Sequence, residues 1–395
     1  MTATPTRRTT MTGWLRREDC RLEDLLAVLA EETDLADYPH ADRVEQGVLV
    51  YDAAALAPIV AGRDGRREVQ AEIARALLDG PGITVYENAF DHGVVDRVTE
   101  AFKEIIAAQR ASGVEAGDHF AKPGANDRIW NALEKLAVED PEAFVDYYAM
   151  DIIDLVATAW LGPGYQVTSQ VNVVNPGGAG QTVHRDYHLG FMDPDVSASY
   201  PAHVHALSAL LTLQGAVAHV DMPVESGPTL YLPHSQKYSH GYLAYWLPQF
   251  QDYFVEHHIQ LPLAKGDAVF FNPALFHAAG SNVSADISRM ANLLQISSAF
   301  GRAMETVDRT RVVEAVYPFL LQRKAAGAPL GDLANARAAS AEGYPFPSNL
   351  DRDQPIDGMA PLTQSQVVRE ALAEGLDSEE LSRRLAAQAE SKLSH

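Results

Sequence analysis

The chain has 395 residues, of which 47% are hydrophobic and 21% charged, which excludes disordered, collagen-like and disulfide-knotted classes. Acidic residues outnumber basic ones 53 to 31, and the net charge of −22 opposes binding to a phosphate backbone or an anionic membrane surface. One cysteine, Cys20, excludes an internal disulfide and any metal site built from several thiolates.

The first 17 residues are polar, with basic residues and no apolar stretch behind them, so no secretory signal is expected and a cytoplasmic location is. No apolar run of 18 or more residues predicts a membrane span. Helical spacing covers residues 18–33, with Leu22, Leu25, Leu26 and Leu29 on one face, and residues 67–78. Gly80-Pro81-Gly82 then precedes a short strand at 83–86. Residues 91–110 read as a long amphipathic helix, 114–127 as a Gly-rich surface loop, and 141–160 as helix again. From Gly164 the texture changes. Residues 166–175 alternate, with Val167, Ser169, Val171 and Val173 on one face and Thr168, Gln170 and Asn172 on the other. Further strands are expected at 204–220, 229–232, 258–263, 268–272 and 287–299, with a hairpin turn at Ala264-Lys265-Gly266-Asp267. Helices follow at 307–325 and 363–374, the latter opened by a Thr363-x-x-Gln366 capping box, and Asp377-x-x-Glu380 starts another. Several strands with Gly/Pro-rich connections predict an all-β core with helical additions: a double-sheet jelly roll flanked by helices. The division expected is a helical extension over 1–80, the jelly-roll core with packed helices over 81–302, and a second helical extension over 303–395. The extensions leave an oligomer open.

Many of the 14 histidines fall between His184 and His277. In His184-Arg185-Asp186, strand parity would bring an imidazole and a carboxylate to one face. These are two parts of the facial triad that holds non-haem iron(II) and leaves positions open. The third ligand must be a distant histidine, and His277 follows an apolar strand 93 residues on. Arg289 stands 12 residues beyond it, on an apolar strand, where a guanidinium needs an anion; its planar fork suits a carboxylate. His-x-Asp alone is a weak pattern. His219-Val220-Asp221 is a second copy, with Asp221 read as a turn carboxylate, and His203-Val204-His205 lacks a following glutamate.

The order of the pieces is more specific than any one of them. His184-x-Asp186 after a Gly-rich turn is followed by Glu225 to Gln236, by Lys265-Gly266-Asp267 before an aromatic strand, and then by His277 and Arg289. This set resembles the phytanoyl-CoA dioxygenase family of Fe(II)/2-oxoglutarate-dependent oxygenases, over roughly residues 82–299. The resemblance implies a double-stranded β-helix and a small-molecule substrate, with Fe(II), 2-oxoglutarate and O2 as cofactor and cosubstrates. It implies His184, Asp186 and His277 as catalytic iron ligands and Arg289 on the distal carboxylate of 2-oxoglutarate. Family members often carry a serine or threonine two residues after the distal histidine. Here Ala279 stands there, and Ser281 or Ser288 is the substitute to look for. Gln170 and Asn172 are candidates for the C1 carboxylate. Lys122, Arg128, Gln181 and His188 are candidates for substrate contact, His188 because it shares strand parity with His184 and Asp186. The alternatives are a jelly-roll metal enzyme that does not use 2-oxoglutarate, and a non-catalytic jelly-roll binding protein.

Overall fold

The structure, a computed structural model, describes residues 13–112, 125–355 and 358–395. Eleven strands are described: β1 (Arg43–Glu45), β2 (Val48–Asp52), β3 (Ile83–Glu87), β4 (Asn126–Ile129), β5 (Gln166–Val174), β6 (Thr212–Ala218), β7 (Leu230–Leu232), β8 (Ile259–Gln260), β9 (Ala268–Phe271), β10 (Phe276–Ala278) and β11 (Arg289–Ser297). Eight form one sheet in the order β1-β2-β3-β9-β6-β11-β5-β4, and three form a second, β10-β7-β8. Only β2 and β3 pair in parallel; the other described pairs are antiparallel. This is the jelly roll, with helices on the outer face of its large sheet.

Strand parity places the residues. On β5, Val167, Val171 and Val173 pack outward into a cluster shared with the helices, alongside Leu213 and Val217 of β6 and Leu294 and Ile296 of β11. The inner face packs Val85, Ala216, Val269, Phe271 and Ala291 against Tyr231, Leu261 and Leu275 from the small-sheet side. Both faces of β5 are therefore buried, although its sequence alternates like a half-exposed strand.

The helix expected over 91–110 is His92–Ala111, capped by Asp91, whose side chain accepts from Val94 N. The Thr363–Gln366 capping box forms with both of its bonds. The long helix expected over 141–160 breaks at Ala149-Met150 into Pro141–Tyr148 and Asp151–Leu161. Residues 204–210, expected as the start of a strand over 204–220, lie in the helix Ala202–Leu210, and the strand starts only at Thr212. His205 and Ser208 on this helix are buried while Leu207 and Leu210 are exposed, so contacts on the sheet override the local apolar pattern. The Ala264–Asp267 turn forms around Gly266 at φ +90°, and Asp267 accepts from Ala264 N and Asn88 N. It is not a hairpin: it carries the chain from β8 in one sheet to β9 in the other. The N-terminal 80 residues, expected as helical, also supply β1, β2 and the approach to β3. One buried cluster joins Leu49 and Tyr51, the core, and Val312, Val368 and Leu385.

Candidate metal centre and its cavity

His184 lies just outside the named strands, in an antiparallel bridge to His277. His184 N donates to His277 O at 3.0 Å, His277 N to His184 O at 3.2 Å, and Asp186 N to Pro273 O at 3.0 Å. These bonds bring ligand atoms of His184, Asp186 and His277 within 4.8 Å of one another. Asp186 Oδ1 is 3.9 Å from His184 Nε2, and Oδ2 is 3.5 Å from His277 Nε2. Each imidazole is oriented by its own main chain: His184 Nδ1 donates to Thr182 O at 2.9 Å and His277 Nδ1 to Leu275 O at 2.8 Å. A carbonyl only accepts, so Nδ1 carries the proton and Nε2 offers its lone pair to the centre. Burial works against the Asp186 charge, but His184, His277 and a hydrogen bond from Gln214 Nε2 outweigh it and hold the carboxyl at about 2. Two imidazoles turned Nε2-inward and one carboxylate at this spacing fit ferrous iron.

Arg185, between two of these residues, points the other way. Its guanidinium is fully buried, donates to Ser235 O (2.5 Å) and Tyr238 O (3.0 Å), and lies over the Tyr242 and Phe276 rings. A side-chain carbon at Gly241 would occupy the guanidinium's place. Arg185 thus fastens the His184–Asp186 segment to the loop after β7. Its chemistry is visible only in three dimensions.

One cavity of about 1090 Å3 runs past the three groups. Arg289, 6% exposed, lines it, as do Thr229, Leu261 and Leu263, with the Tyr231 phenol close to the guanidinium. Burial lowers its pKa to about 10, and among the described residues its guanidinium meets no carboxylate. Neither serine stands in for Ala279: Ser281 Oγ accepts from Gly180 N at 2.8 Å, and Ser288 Oγ donates to Asn175 Oδ1 at 3.0 Å. Tyr231 and Thr229 bring hydroxyls to the same cavity, and the Tyr231 phenol is near enough to Arg289 to feel its charge. Tyr231 is the register partner of His277 and packs its ring edge-on to Phe271. A pairing partner 46 residues away in the chain leaves no local signal, so sequence reasoning missed it.

The other expected residues separate. Asn172 lines the cavity, but the buried Gln170 accepts from Arg128 Nη2 and donates to Glu305 Oε1, and is not part of the wall. Arg128 lines the cavity with its guanidinium 4.5 Å from the Trp130 ring. Gln181 lines the mouth, its Oε1 accepting from Ala279 N. His188 does not share the ligands' face. The chain leaves extended geometry after Asp186, His188 has φ 44° in a 3-10 turn, and its ring bonds Ser208 at 3.3 Å, away from the cavity wall. Lys122 lies outside the described residues. The second His-x-Asp copy is divided: His219 is buried between Thr99 and Tyr147, and Asp221 accepts from Lys265 N at the turn. His203 and His205 lie on the helix Ala202–Leu210, and His205 Nε2 donates to Ser197 O.

Among solved structures, the chain is similar to the non-haem α-ketoglutarate-dependent epimerase SnoN from nogalamycin biosynthesis, at 19% identity over 62% of this chain and 83% of that one, TM-score 0.38. It is similar to the carbocyclase SnoK from the same biosynthesis, at 19% identity over 57% and 83%, TM-score 0.40. HygX from Streptomyces hygroscopicus, solved with nickel and 2-oxoglutarate bound, shares 14% identity over 60% and 90%, TM-score 0.40. Likeness at this level carries no argument about chemistry. No curated protein sequence matches the chain. No helix among the described residues is long and apolar enough to cross a membrane. The family profile Phytanoyl-CoA dioxygenase (PhyH) matches residues 78–291, more than half of the chain and the stretch that carries the three converging side chains and Arg289. The chain belongs to the phytanoyl-CoA dioxygenase family of Fe(II)/2-oxoglutarate-dependent oxygenases.

Proposed function

We propose that this oxygenase hydroxylates an unactivated C–H of a small molecule, converting C–H to C–OH with one oxygen atom of O2 while 2-oxoglutarate takes the other and leaves as succinate and CO2. The observation that carries the reading is a His184/Asp186/His277 cluster and a buried Arg289, without a carboxylate partner among the described residues, along one cavity. Bound iron would supply the oxygen activation. The chain's own part is positioning and exclusion.

His184 and His277 present fixed Nε2 lone pairs, because their Nδ1 protons are committed to carbonyls. Asp186 supplies the negative ligand, kept ionised by its neighbours and oriented by Gln214. Arg289 grips the C5 carboxylate of 2-oxoglutarate with its fork, and the Tyr231 and Thr229 hydroxyls take the place left by Ala279. Asn172 is placed to donate to the C1 carboxylate, whereas Gln170 instead holds Arg128 in the wall. The apolar residues Leu261, Leu263, Val269 and Phe271 keep water from the Arg289 end.

The test is twofold. Anaerobic addition of 2-oxoglutarate to the Fe(II) protein should give a metal-to-ligand absorption band, and aerobic incubation with ascorbate should release succinate. Absence of the band with iron bound rejects the 2-oxoglutarate reading in favour of a metal enzyme of another kind.

A further inference from the structure

We infer that Arg185 is a positioning residue of the metal centre: from behind the ligands it fixes His184 and Asp186 on one segment relative to His277 on another, and so sets metal affinity and coordination geometry. This rests on the reading above in which those three side chains hold the iron, and it adds a residue that does not touch the metal.

The segment that carries two of the three ligands has little support from the sheets. It lies outside the named strands, between the end of β5 at Val174 and the 3-10 turn His188–Phe191. Its described main-chain bonds to the segment of the third ligand are the His184–His277 bridge and Asp186 N to Pro273 O. A metal site needs its donor atoms held to within about 0.5 Å. One bridge fixes the register of two segments but leaves the angle between them to other contacts.

Arg185 supplies those contacts. Its guanidinium donates to Ser235 O at 2.5 Å and to Tyr238 O at 3.0 Å. Ser235 also accepts from Phe276 N on its Oγ, at 2.8 Å. Phe276 precedes His277, and its ring lies 5.0 Å from the guanidinium. The neighbours of the ligands on both segments therefore meet on one loop. Tyr242 closes the arrangement: its ring is 5.3 Å from the guanidinium and its hydroxyl donates to Asp186 O at 3.0 Å. The loop is itself braced from outside the family match. The Tyr238 hydroxyl accepts from Arg21 N at 3.0 Å and donates to Arg21 O at 3.2 Å.

The same contacts separate positioning from stability. Both carbonyls keep a main-chain donor without Arg185: Tyr238 N donates to Ser235 O at 3.2 Å and Gly241 N to Tyr238 O at 3.1 Å. The buried guanidinium has no carboxylate partner among the described residues, and its Nε has no hydrogen-bond partner there. A buried cation in that state adds little to the stability of the fold. Yet the backbone is shaped for it, since a side-chain carbon at Gly241 would collide with it. What the side chain does provide is a fixed anchor between two ligands.

The test uses Co(II) alone, whose visible absorption reports both occupancy and ligand geometry. Wild type, His277→Ala and Arg185→Met are titrated with Co(II), and their metal-free melts are compared. Arg185→Met should bind Co(II) at least about tenfold more weakly, the scale for losing a group that orients metal ligands. Its spectrum at saturation should differ from that of wild type, while its metal-free melting temperature stays within about 3 °C. If Arg185→Met lacks a cooperative melt, Arg185→Gln, which keeps an amide donor in place of the fork, is read by the same affinity and spectrum. Wild-type affinity, or a wild-type spectrum at saturation, overturns the inference. The His277→Ala control separates the two levels. Co(II) binding that survives in His277→Ala places the metal elsewhere and removes the ligand reading as well. Binding lost in His277→Ala but unaltered in the Arg185 variant removes only the role of Arg185.

Discussion

Arg289→Ala should separate affinity from stability, with opposite signs. In the fold this guanidinium is 6% exposed, burial lowers its pKa to about 10, and no carboxylate among the described residues faces it. Its proposed counter-charge is the C5 carboxylate of 2-oxoglutarate. Truncating one side of a buried charge pair costs about 2–5 kcal/mol. Since about 1.4 kcal/mol is a factor of ten, the dissociation constant for 2-oxoglutarate should rise from about 30-fold to some thousands-fold. Without cosubstrate the sign reverses. The folded pKa lies below the unfolded value of 12.5, so the fold disfavours the proton that Arg289 still holds at pH 7. Removing that uncompensated charge while keeping volume, as in Arg289→Met, should leave the cosubstrate-free protein at least as stable, by up to about 2–3 kcal/mol. Two assays read this: anaerobic titration of the Fe(II) protein by its metal-to-ligand band, and thermal melts with and without 2-oxoglutarate. Wild type should gain melting temperature on adding 2-oxoglutarate, and the variants should not. Equal 2-oxoglutarate affinity in wild type and Arg289→Ala would refute the assignment and the electrostatic reasoning together.

Tyr231→Phe removes the hydroxyl at the Arg289 end and should weaken 2-oxoglutarate about tenfold, the scale of one hydrogen bond to a charged group, with iron affinity unchanged; an unaltered titration assigns the place vacated at Ala279 to another residue. His184→Ala, Asp186→Ala and His277→Ala should each lose iron by metal analysis yet keep a cooperative melt, whereas Asp221→Ala should retain the metal; iron retained in all three ligand variants would relocate the site. His219 donates through Nδ1 to Thr99 Oγ1, whose proton goes to Val95 O, and accepts at Nε2 from Tyr147, so only the neutral ring fits. Burial lowers its pKa to about 3, below the unfolded 6.5, so its contribution is lost as pH falls through that window. Between pH 7 and 5 wild type should lose about 2 kcal/mol more stability than His219→Gln in urea titrations, and parallel losses would contradict this. Arg309 donates to Ala339 O (2.7 Å) and Val167 O (2.6 Å), tying residues 303–395 to β5. We propose that this segment is not separable: a chain ending at residue 302 should melt lower or fail to fold, and an unchanged melt would mark an independent extension.

The sequence by itself determined the parts that are local. Alternation gave β5 and its inward Asn172, Asp91 and Thr363 gave helix starts, and the His184-x-Asp186 spacing with His277 and Arg289 gave the ligand and anion-binding candidates. Each of these is written within a few residues, as a periodicity, a cap or a motif. Which histidines converge is not local. His184 and His219 sit in the same His-x-Asp pattern, but one lies at a bridge between strands and the other beneath helices bearing Thr99 and Tyr147. The reassignment of 204–210 to helix, the turn of His188 away from the site, the anchoring of Arg185 and the arrival of Tyr231 beside Arg289 were likewise decided only by the tertiary structure. The physical reason is common to them. A residue's burial and partners depend on the elements stacked against it, and those lie tens of residues away in the chain, where no short pattern can record them.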